Sequence, residues 1–204
     1  MSFTNEQKIA IFKRELSYIK NDDIKSLTEE LITNIPNYFF DVSASSTGKY
    51  HPDYSLGKGG LVRHTKAACL FANILRIPNP LQLSEYELDY SIAALILHDS
   101  RKYGINDETK SEHTRFDHPI LAANAIKNHF NFNEHFLSVD DDAKNIQQIL
   151  NTIAHGVESH MGQWNKSTWH PDIVLPLPTD KLQHFVHACD YLASRKEIDI
   201  KNLC

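Results

Sequence analysis

The segment SEYELDYSIAALILHDSRK, residues 84–102, decides the fold class of this chain. Ser84 followed by Glu87 three residues later is the pattern of a capping box, which marks a helix N-terminus. From Ile92 to Asp99 the pattern i, i+3, i+4, i+7 recurs, so Asp99 lies on the buried stripe of an amphipathic helix. A buried carboxylate is costly unless a cation pairs with it. Either the helix end frays into solvent, or Asp99 binds a positive partner such as a metal ion.

The same helical period extends along the rest of the chain, and no strand-like alternation persists. Polar or Gly-, Ser- and Pro-containing connections occur at residues 42–60, 103–116 and 156–178. The sequence therefore predicts an all-α bundle rather than a βαβ series. Residues 1–41 are predicted to form an N-terminal helical extension that packs on the core, and residues 42–204 the main domain. Helices are predicted near residues 4–19, 22–35, 60–75, 84–98, 118–129, 140–155 and 180–196.

Composition narrows the function classes. The 204 residues carry a formal net charge of −5, which is unsuited to the many phosphate contacts of long-duplex binding. The three cysteines are widely spaced and odd in number, which argues against a disulfide framework and a thiolate zinc site. No stretch reaches the roughly 18 apolar residues of a membrane span, and the N-terminus lacks a signal-peptide pattern. We therefore expect a cytoplasmic protein without membrane contact, and its 12 histidines direct attention to metal binding.

A second buried carboxylate is predicted near the end of the chain. Asp190 lies four residues after Val186 and continues the apolar stripe of the last helix. It could pair with an arginine such as Arg195 or Arg63. It could equally share a metal ion with Asp99.

Two histidines complete a candidate metal site with these carboxylates. His64 follows a Gly-Gly pair that allows close approach of backbone or ligand, and His98 adjoins Asp99. Imidazole combined with carboxylate suits Mn, Fe, Zn, Ni or Co, whereas oxygen-only sets suit Mg or Ca. The sequence therefore predicts a divalent transition-metal site formed by His64, His98, Asp99 and Asp190, with Mg kept as a further candidate.

The order of these ligands resembles the HD-domain superfamily of metal-dependent phosphohydrolases. The resemblance spans about residues 51–196 and includes HDSRK at 98–102, GGLVRHT at 59–65 and HACDYLASRK at 187–196. The last two segments are similar to the HD domain of bacterial 3′–5′ exoribonucleases. The segment HGVESHMGQW, residues 155–164, lacks the His-His-Glu and Gly-Tyr-Pro motifs of the cyclic-dinucleotide branch.

The resemblance implies an HD-domain helical bundle with a metal site of two ions in its core. His118 and His155 would then bind the second ion, and His160 would contact metal or substrate. Asp99 would be a bridging, catalytic ligand, and Lys102 would be catalytic and bind a phosphate oxygen. The expected reaction is cleavage of a phosphoester of a nucleotide or short single-stranded oligonucleotide by metal-activated hydroxide.

Further substrate contacts are predicted from Arg63, His51 and Arg195. Two other function classes share the ligand order: a mixed-valence di-iron oxygenase with the HD fold, and a non-catalytic HD regulatory or binding module. Tightly bound iron without phosphoester cleavage would indicate the first, and failure to bind any metal the second. The apolar faces of residues 1–41 could cover the bundle or pair two chains, so the sequence leaves the oligomeric state open.

Overall fold

The computed structural model describes residues 2–48, 51–130, 140–198 and 200. Over these ranges the chain forms eight α-helices and no β-strand, which confirms the predicted all-α class. None of these helices combines the length and the apolar character needed to cross a membrane. The helices are α1 Asn5–Ile11, α2 Lys13–Leu16, α3 Asp22–Thr33, α4 Gly60–Leu75, α5 Glu85–Leu97, α6 His118–Lys127, α7 Asp141–Glu158 and α8 Lys181–Ala193.

Local sequence signals explain where most helices begin. Ser84 forms the predicted capping box of α5, and the side chains of Asp140 and Asp180 cap α7 and α8. Each cap satisfies an otherwise unpaired N–H of the first turn, which stabilises a helix by about 1 kcal/mol. At the start of α4 a Cβ atom on Gly60 would lie 2.2 Å from the Ser55 carbonyl oxygen. Glycine at this position therefore lets the preceding loop approach the first turn of α4.

The first predicted helix is interrupted. A single helix was expected near residues 4–19, but the chain forms the separate helices α1 and α2. Phe12, between them, has φ −102° and ψ 15°. Its fully buried ring lies 6.2 Å from the ring of Phe39 and 6.4 Å from that of Phe40. Burial of this ring in the core outweighs continuation of the helix, because helix propensities are small beside the burial of an aromatic side chain.

Helix α5 lies at the centre of the bundle. Every residue from Ser91 to Leu97 is buried. The helix contacts α3, α4, α7 and α8, while α4 also packs on α8 and α6 packs on α7. Each large apolar side chain buried here contributes roughly 1.5–3 kcal/mol to folding. Because α5 is surrounded by other helices, its C-terminal end, with His98 and Asp99, lies in the protein interior.

The N-terminal helices share this core. Phe12, Leu16 and Ile24 belong to the same apolar cluster as Ile92 of α5. Helices α2 and α3 both contact α5, and α2 also contacts α4. The described N-terminal residues therefore pack on the bundle, whereas the domain boundary at residue 41 stays a prediction.

Candidate metal centre

Six polar side chains from five parts of the chain meet in the centre of the bundle. Five of them, His64, His98, Asp99, His118 and His160, are only 0–2% exposed. The burial of Asp99 excludes a helix end frayed into solvent. The sixth is Asp190, whose side chain is 18% exposed. In chain order the six lie on α4, at the end of α5 (two of them), at the start of α6, just after α7, and on α8.

The Asp99 carboxylate lies between two sets of histidines. Its Oδ2 atom is 3.3 Å from Nε2 of His98 and 3.8 Å from Nε2 of His64. Its Oδ1 atom is 3.1 Å from Nε2 of His118 and 3.7 Å from Nε2 of His160. One carboxylate therefore presents one oxygen to each pair of imidazoles.

The first ligand group consists of Nε2 of His64, Nε2 of His98, Oδ2 of Asp99 and Oδ1 of Asp190. Asp190 Oδ1 lies 2.9 Å from His64 Nε2 and 3.5 Å from His98 Nε2, and the two Nε2 atoms are 3.4 Å apart. Atoms bound at about 2.1 Å to one ion lie roughly 3.0–3.4 Å from each other in octahedral or tetrahedral geometry. Ligand atoms of His64, His98 and Asp190 all fall within 4.8 Å of one another, so these three residues could hold one ion, with Asp99 Oδ2 3.3–3.8 Å from the two imidazole nitrogens. Asp190 pairs with histidines here, and not with Arg63 or Arg195.

The second ligand group consists of Nε2 of His118, Nε2 of His160 and Oδ1 of Asp99. The two imidazole nitrogens are 3.1 Å apart. His98 lies close to this group as well, because ligand atoms of His98, Asp99 and His160 all fall within 4.8 Å of one another. Buried histidine and aspartate side chains in this arrangement could hold a metal ion.

Backbone carbonyl groups fix the orientation of three of these imidazoles. His98, His118 and His160 each place Nδ1 at 2.6–2.7 Å from the carbonyl oxygen three residues earlier in the chain. A carbonyl oxygen only accepts hydrogen bonds, so Nδ1 carries the proton and donates it. In the neutral ring the lone pair is then on Nε2, which points into the cluster. This is the usual arrangement around a metal-binding histidine.

The second ligand group consists of hydrogen-bond acceptors that face one another. Burial lowers the pKa of His118, so its ring is neutral near neutral pH and its Nε2 carries no proton. Asp99 Oδ1 has no hydrogen-bond donor among the described residues, although it is buried. A carboxylate oxygen and imidazole lone pairs repel one another at these distances unless a cation lies between them. The residues present therefore fit a metal ion.

The first ligand group attracts positive charge in a different way. Burial lowers the pKa of His98, but the carboxylates of Asp99 and Asp190 outweigh it and raise the pKa to about 10. Burial raises the pKa of Asp190, but hydrogen bonds from His64 and His98 outweigh it and hold the pKa well below its usual range. Without a metal the His98 ring therefore holds a proton, which a metal ion must displace.

Lys102 neutralises part of the charge on Asp99. Its Nζ lies 2.5 Å from Asp99 Oδ2, and the lysine is only 8% exposed. Burial raises the pKa of Asp99, but Lys102 and His98 outweigh it and hold the pKa far below its usual value. The structure thus places Lys102 beside Asp99. Its role in phosphate binding stays a prediction.

The structure does not bring His155 to the cluster, which corrects its assignment as a metal ligand. Its side chain is 40% exposed, and its Nε2 lies 2.6 Å from Oδ2 of Asp180. Its Nδ1 lies 3.3 Å from Oε1 of Glu158. His155 is two residues after the buried Ile153, a rotation of about 200° around the helix. It therefore faces away from the core.

His160 takes the place that His155 was predicted to fill. It lies three residues after Val157 and seven after Ile153, both of which are fully buried on α7. The apolar period of α7 thus continues through the turn that follows the helix. His160 was predicted only as a contact to metal or substrate, and extending this stripe past the predicted helix end would have favoured it over His155 as a ligand.

Arg63 has a structural role in the loop before α4, and its contact with a substrate stays a prediction. Its guanidinium donates to the carbonyl oxygens of Tyr54, Leu56 and Lys58. The last two bonds measure 2.8 and 2.9 Å. The side chain therefore holds the loop before α4 against the helix and uses three of its five N–H donors for backbone carbonyls.

The other two predicted substrate-binding residues lie near single ligands, His51 in space and Arg195 along the chain. The ring of His51 is 5.2 Å from that of His64, and burial together with the His64 charge lowers the pKa of His51 to about 3. The Arg195 guanidinium lies 4.3 Å from the centroid of the Tyr191 ring, next to Asp190 in the chain. Contact of either residue with a substrate stays a prediction.

Comparisons with known proteins give no information on the function of this chain. Protein-family models, curated proteins and solved structures were searched, and none gave a significant match to the chain.

Proposed function

We propose that this chain is a divalent-metal-dependent phosphohydrolase of the HD type, which cleaves a phosphoester of a nucleotide or short oligonucleotide. The observation that carries the proposal is the position of Asp99. Each oxygen of this buried carboxylate faces the Nε2 atoms of a separate pair of imidazoles. A pair of adjacent ions sharing one carboxylate is the arrangement that many phosphoester-cleaving sites use.

Seven side-chain atoms would hold the two ions. The first ion would bind to the first ligand group and the second to the second ligand group, with Asp99 common to both. Bound ions of this kind supply Lewis acidity toward phosphoryl oxygens and a water molecule of lowered pKa. The mixed imidazole and carboxylate ligands favour Mn, Fe, Co, Ni or Zn.

The charge of the site supports an anionic substrate. With neutral histidines, Asp99, Asp190 and Lys102 leave a small net negative charge, which two divalent ions would reverse. Once the oxygens of Asp99 are bound by metal, the ammonium of Lys102 could turn to a phosphate oxygen beside it. A fixed positive charge at that point would stabilise the charge that develops on the phosphoryl group.

Access to the site supports the same proposal. Asp190 is 18% exposed, whereas the other five ligands are 0–2% exposed. Solvent and substrate would therefore reach the cluster from the side of α8. His51 lies beside the ligand His64, and Arg195 stacks on Tyr191, the residue that follows Asp190.

The test combines elemental analysis of manganese-loaded protein with hydrolysis of a dinucleotide phosphodiester, with and without a chelator. We expect two ions per chain and cleavage that manganese stimulates and the chelator abolishes. The Asp99→Asn variant should keep its helical circular dichroism, lose both ions and lose at least about 100-fold in turnover. Tightly bound iron without cleavage would overturn the proposal in favour of an oxygenase. Protein that binds no metal would overturn it in favour of a binding module.

A further inference from the structure

Three side chains on the segments that carry His160 and Asp190 form a stacked surface cluster, here called the aromatic platform: Trp164, Tyr191 and Arg195. The rings of Trp164 and Tyr191 are nearly parallel, at 17°, with centroids 5.4 Å apart. The Arg195 guanidinium lies 4.3 Å from the Tyr191 centroid and 5.6 Å from the Trp164 centroid. Trp164 nevertheless remains 41% exposed, so a large part of its indole ring faces solvent.

The platform is joined to the metal ligands through the backbone on both sides. Tyr191 directly follows Asp190, the ligand that is partly exposed. Trp164 lies four residues after His160. His187 of α8 donates from Nδ1 to the carbonyl oxygen of His160 at 2.7 Å, which ties the segment that carries Trp164 to α8.

Glycine at position 162 makes this approach possible. Gly162 has φ +53°, and a Cβ atom there would lie 2.2 Å from the ring of His187. Any other residue would be strained and would push the segment away from α8. The chain therefore turns sharply after His160 and returns Trp164 onto Tyr191.

We propose that the platform stacks the nucleobase of the substrate. This inference rests on the proposed function, and it narrows the substrate to phosphoesters that carry a base. An exposed indole supported by a second ring and a guanidinium is suited to a flat π-system, and the neighbouring cation adds to the attraction. Tyr191 directly follows Asp190, the most exposed of the ligands, so a base stacked on the platform would lie next to the part of the chain that carries this ligand. Every base has a flat ring that can stack, so binding should not require one particular base. Purine nucleotides should bind more tightly than pyrimidine nucleotides, because their rings are larger.

The experiment compares two ligands on the manganese-loaded full-length chain by titration calorimetry. Adenosine 5′-monophosphate carries phosphate and base, and ribose 5-phosphate lacks the base. Replacing Trp164→Ala should weaken binding of the nucleotide about 5- to 150-fold, the equivalent of about 1–3 kcal/mol per stacked base. Binding of ribose 5-phosphate should not change. Trp164→Tyr keeps an aromatic ring and should retain most of the affinity.

Trp169→Ala is the matched control, because Trp169 is the chain's other tryptophan and is 88% exposed outside the platform. It should bind both ligands as the wild type does. Equal affinity of wild type and Trp164→Ala for the nucleotide would overturn the inference. Equal weakening of both ligands would also overturn it, because Trp164 would then only support the fold.

Failure of the proposed function gives a different result. Wild-type protein that binds the nucleotide through Trp164 but cleaves no phosphodiester would leave the platform standing and reject the hydrolase. Protein that cleaves phosphodiesters, but binds adenosine 5′-monophosphate no better than ribose 5-phosphate, would leave the hydrolase standing and reject the platform.

Discussion

Replacing His160→Ala should remove the second metal ion and leave the first, whereas His155→Ala should leave both. The second ligand group has three protein atoms, and this change leaves only Asp99 Oδ1 and His118 Nε2. The first ligand group keeps all four of its atoms, because none of them belongs to His160, whose Nε2 lies 3.7 Å from Oδ1 of Asp99. The pair of variants therefore tests whether the second ion is bound by His160, as the structure indicates, or by His155, as the order of motifs suggested.

The size of the effect follows from the contacts. Loss of a group that only orients a metal ligand commonly costs 10- to 100-fold in affinity, so loss of a direct ligand should cost about 100-fold or more at the second position. His155 instead pairs with Asp180, and their side chains are 40% and 48% exposed. A pair this exposed is worth about 0–1 kcal/mol after solvent screening. His155→Ala should therefore lower Tm by no more than about 4 °C.

The assay is manganese content after gel filtration, supported by electron paramagnetic resonance. Wild type and His155→Ala should hold two ions per chain and show the broadened spectrum of coupled ions. His160→Ala should hold one ion and show the hyperfine-split spectrum of isolated Mn²⁺. Since alanine leaves a cavity at a fully buried position, His160→Asn serves as a second variant, and thermal melts of the metal-free proteins check that both fold.

Two results would refute this reasoning. Two ions in His160→Ala would show that His160 is not a ligand. One ion in His155→Ala, together with two in His160→Ala, would show that His155 occupies the second site in the metal-loaded protein, as the order of motifs suggested.

Three further predictions concern charge and loop structure. The raised pKa of His98, about 10 against an ordinary 6.5, means that the metal-free ring is protonated below pH 10. Metal affinity should therefore rise about tenfold per pH unit between roughly pH 7 and 9. Calorimetry in buffers of different ionisation enthalpy should show about one proton released per chain, and release of no proton would contradict this prediction. Lys102→Met removes the ammonium 2.5 Å from Asp99. Manganese should then bind at least as tightly as to the wild type, while phosphodiester turnover falls about 100-fold. Weaker manganese binding would contradict this prediction. Arg63→Ala removes three hydrogen bonds to loop carbonyls, so the free energy of unfolding in urea titrations should fall by about 1–3 kcal/mol. KM should not change. A raised KM at unchanged stability would instead support a substrate-binding role for Arg63.

Sequence alone predicted the helices well because their signals are local. The predicted capping box at Ser84 depends on residues within one turn, and the structure contains it. Asp140 and Asp180 cap α7 and α8 through equally local contacts. The interruption at Phe12 could not be predicted in this way. It depends on contacts with Phe39 and Phe40, which come from a turn formed by a distant part of the chain.

The candidate site was partly predictable for the same reason. Asp99 and Asp190 lie on apolar stripes, so their burial follows from helical period. His155 was chosen from the order of motifs, without extending the stripe of α7 as far as His160. The role of Arg63 depends on how the preceding loop folds back onto α4, and no local pattern specifies which carbonyl groups it meets.

The ends of the helices also bear on metal preference. His98, His118 and His160 each donate Nδ1–H to the carbonyl oxygen three residues earlier, at the end of α5, the start of α6 and just after α7. Three of the four imidazoles are therefore oriented by their own local backbone before any ion binds, and little ordering entropy opposes binding. Fixed nitrogen ligands suit first-row transition metals, whereas Mg²⁺ and Ca²⁺ prefer oxygen. If the cluster holds a metal ion, the same geometry would therefore favour manganese, iron, cobalt, nickel or zinc over magnesium.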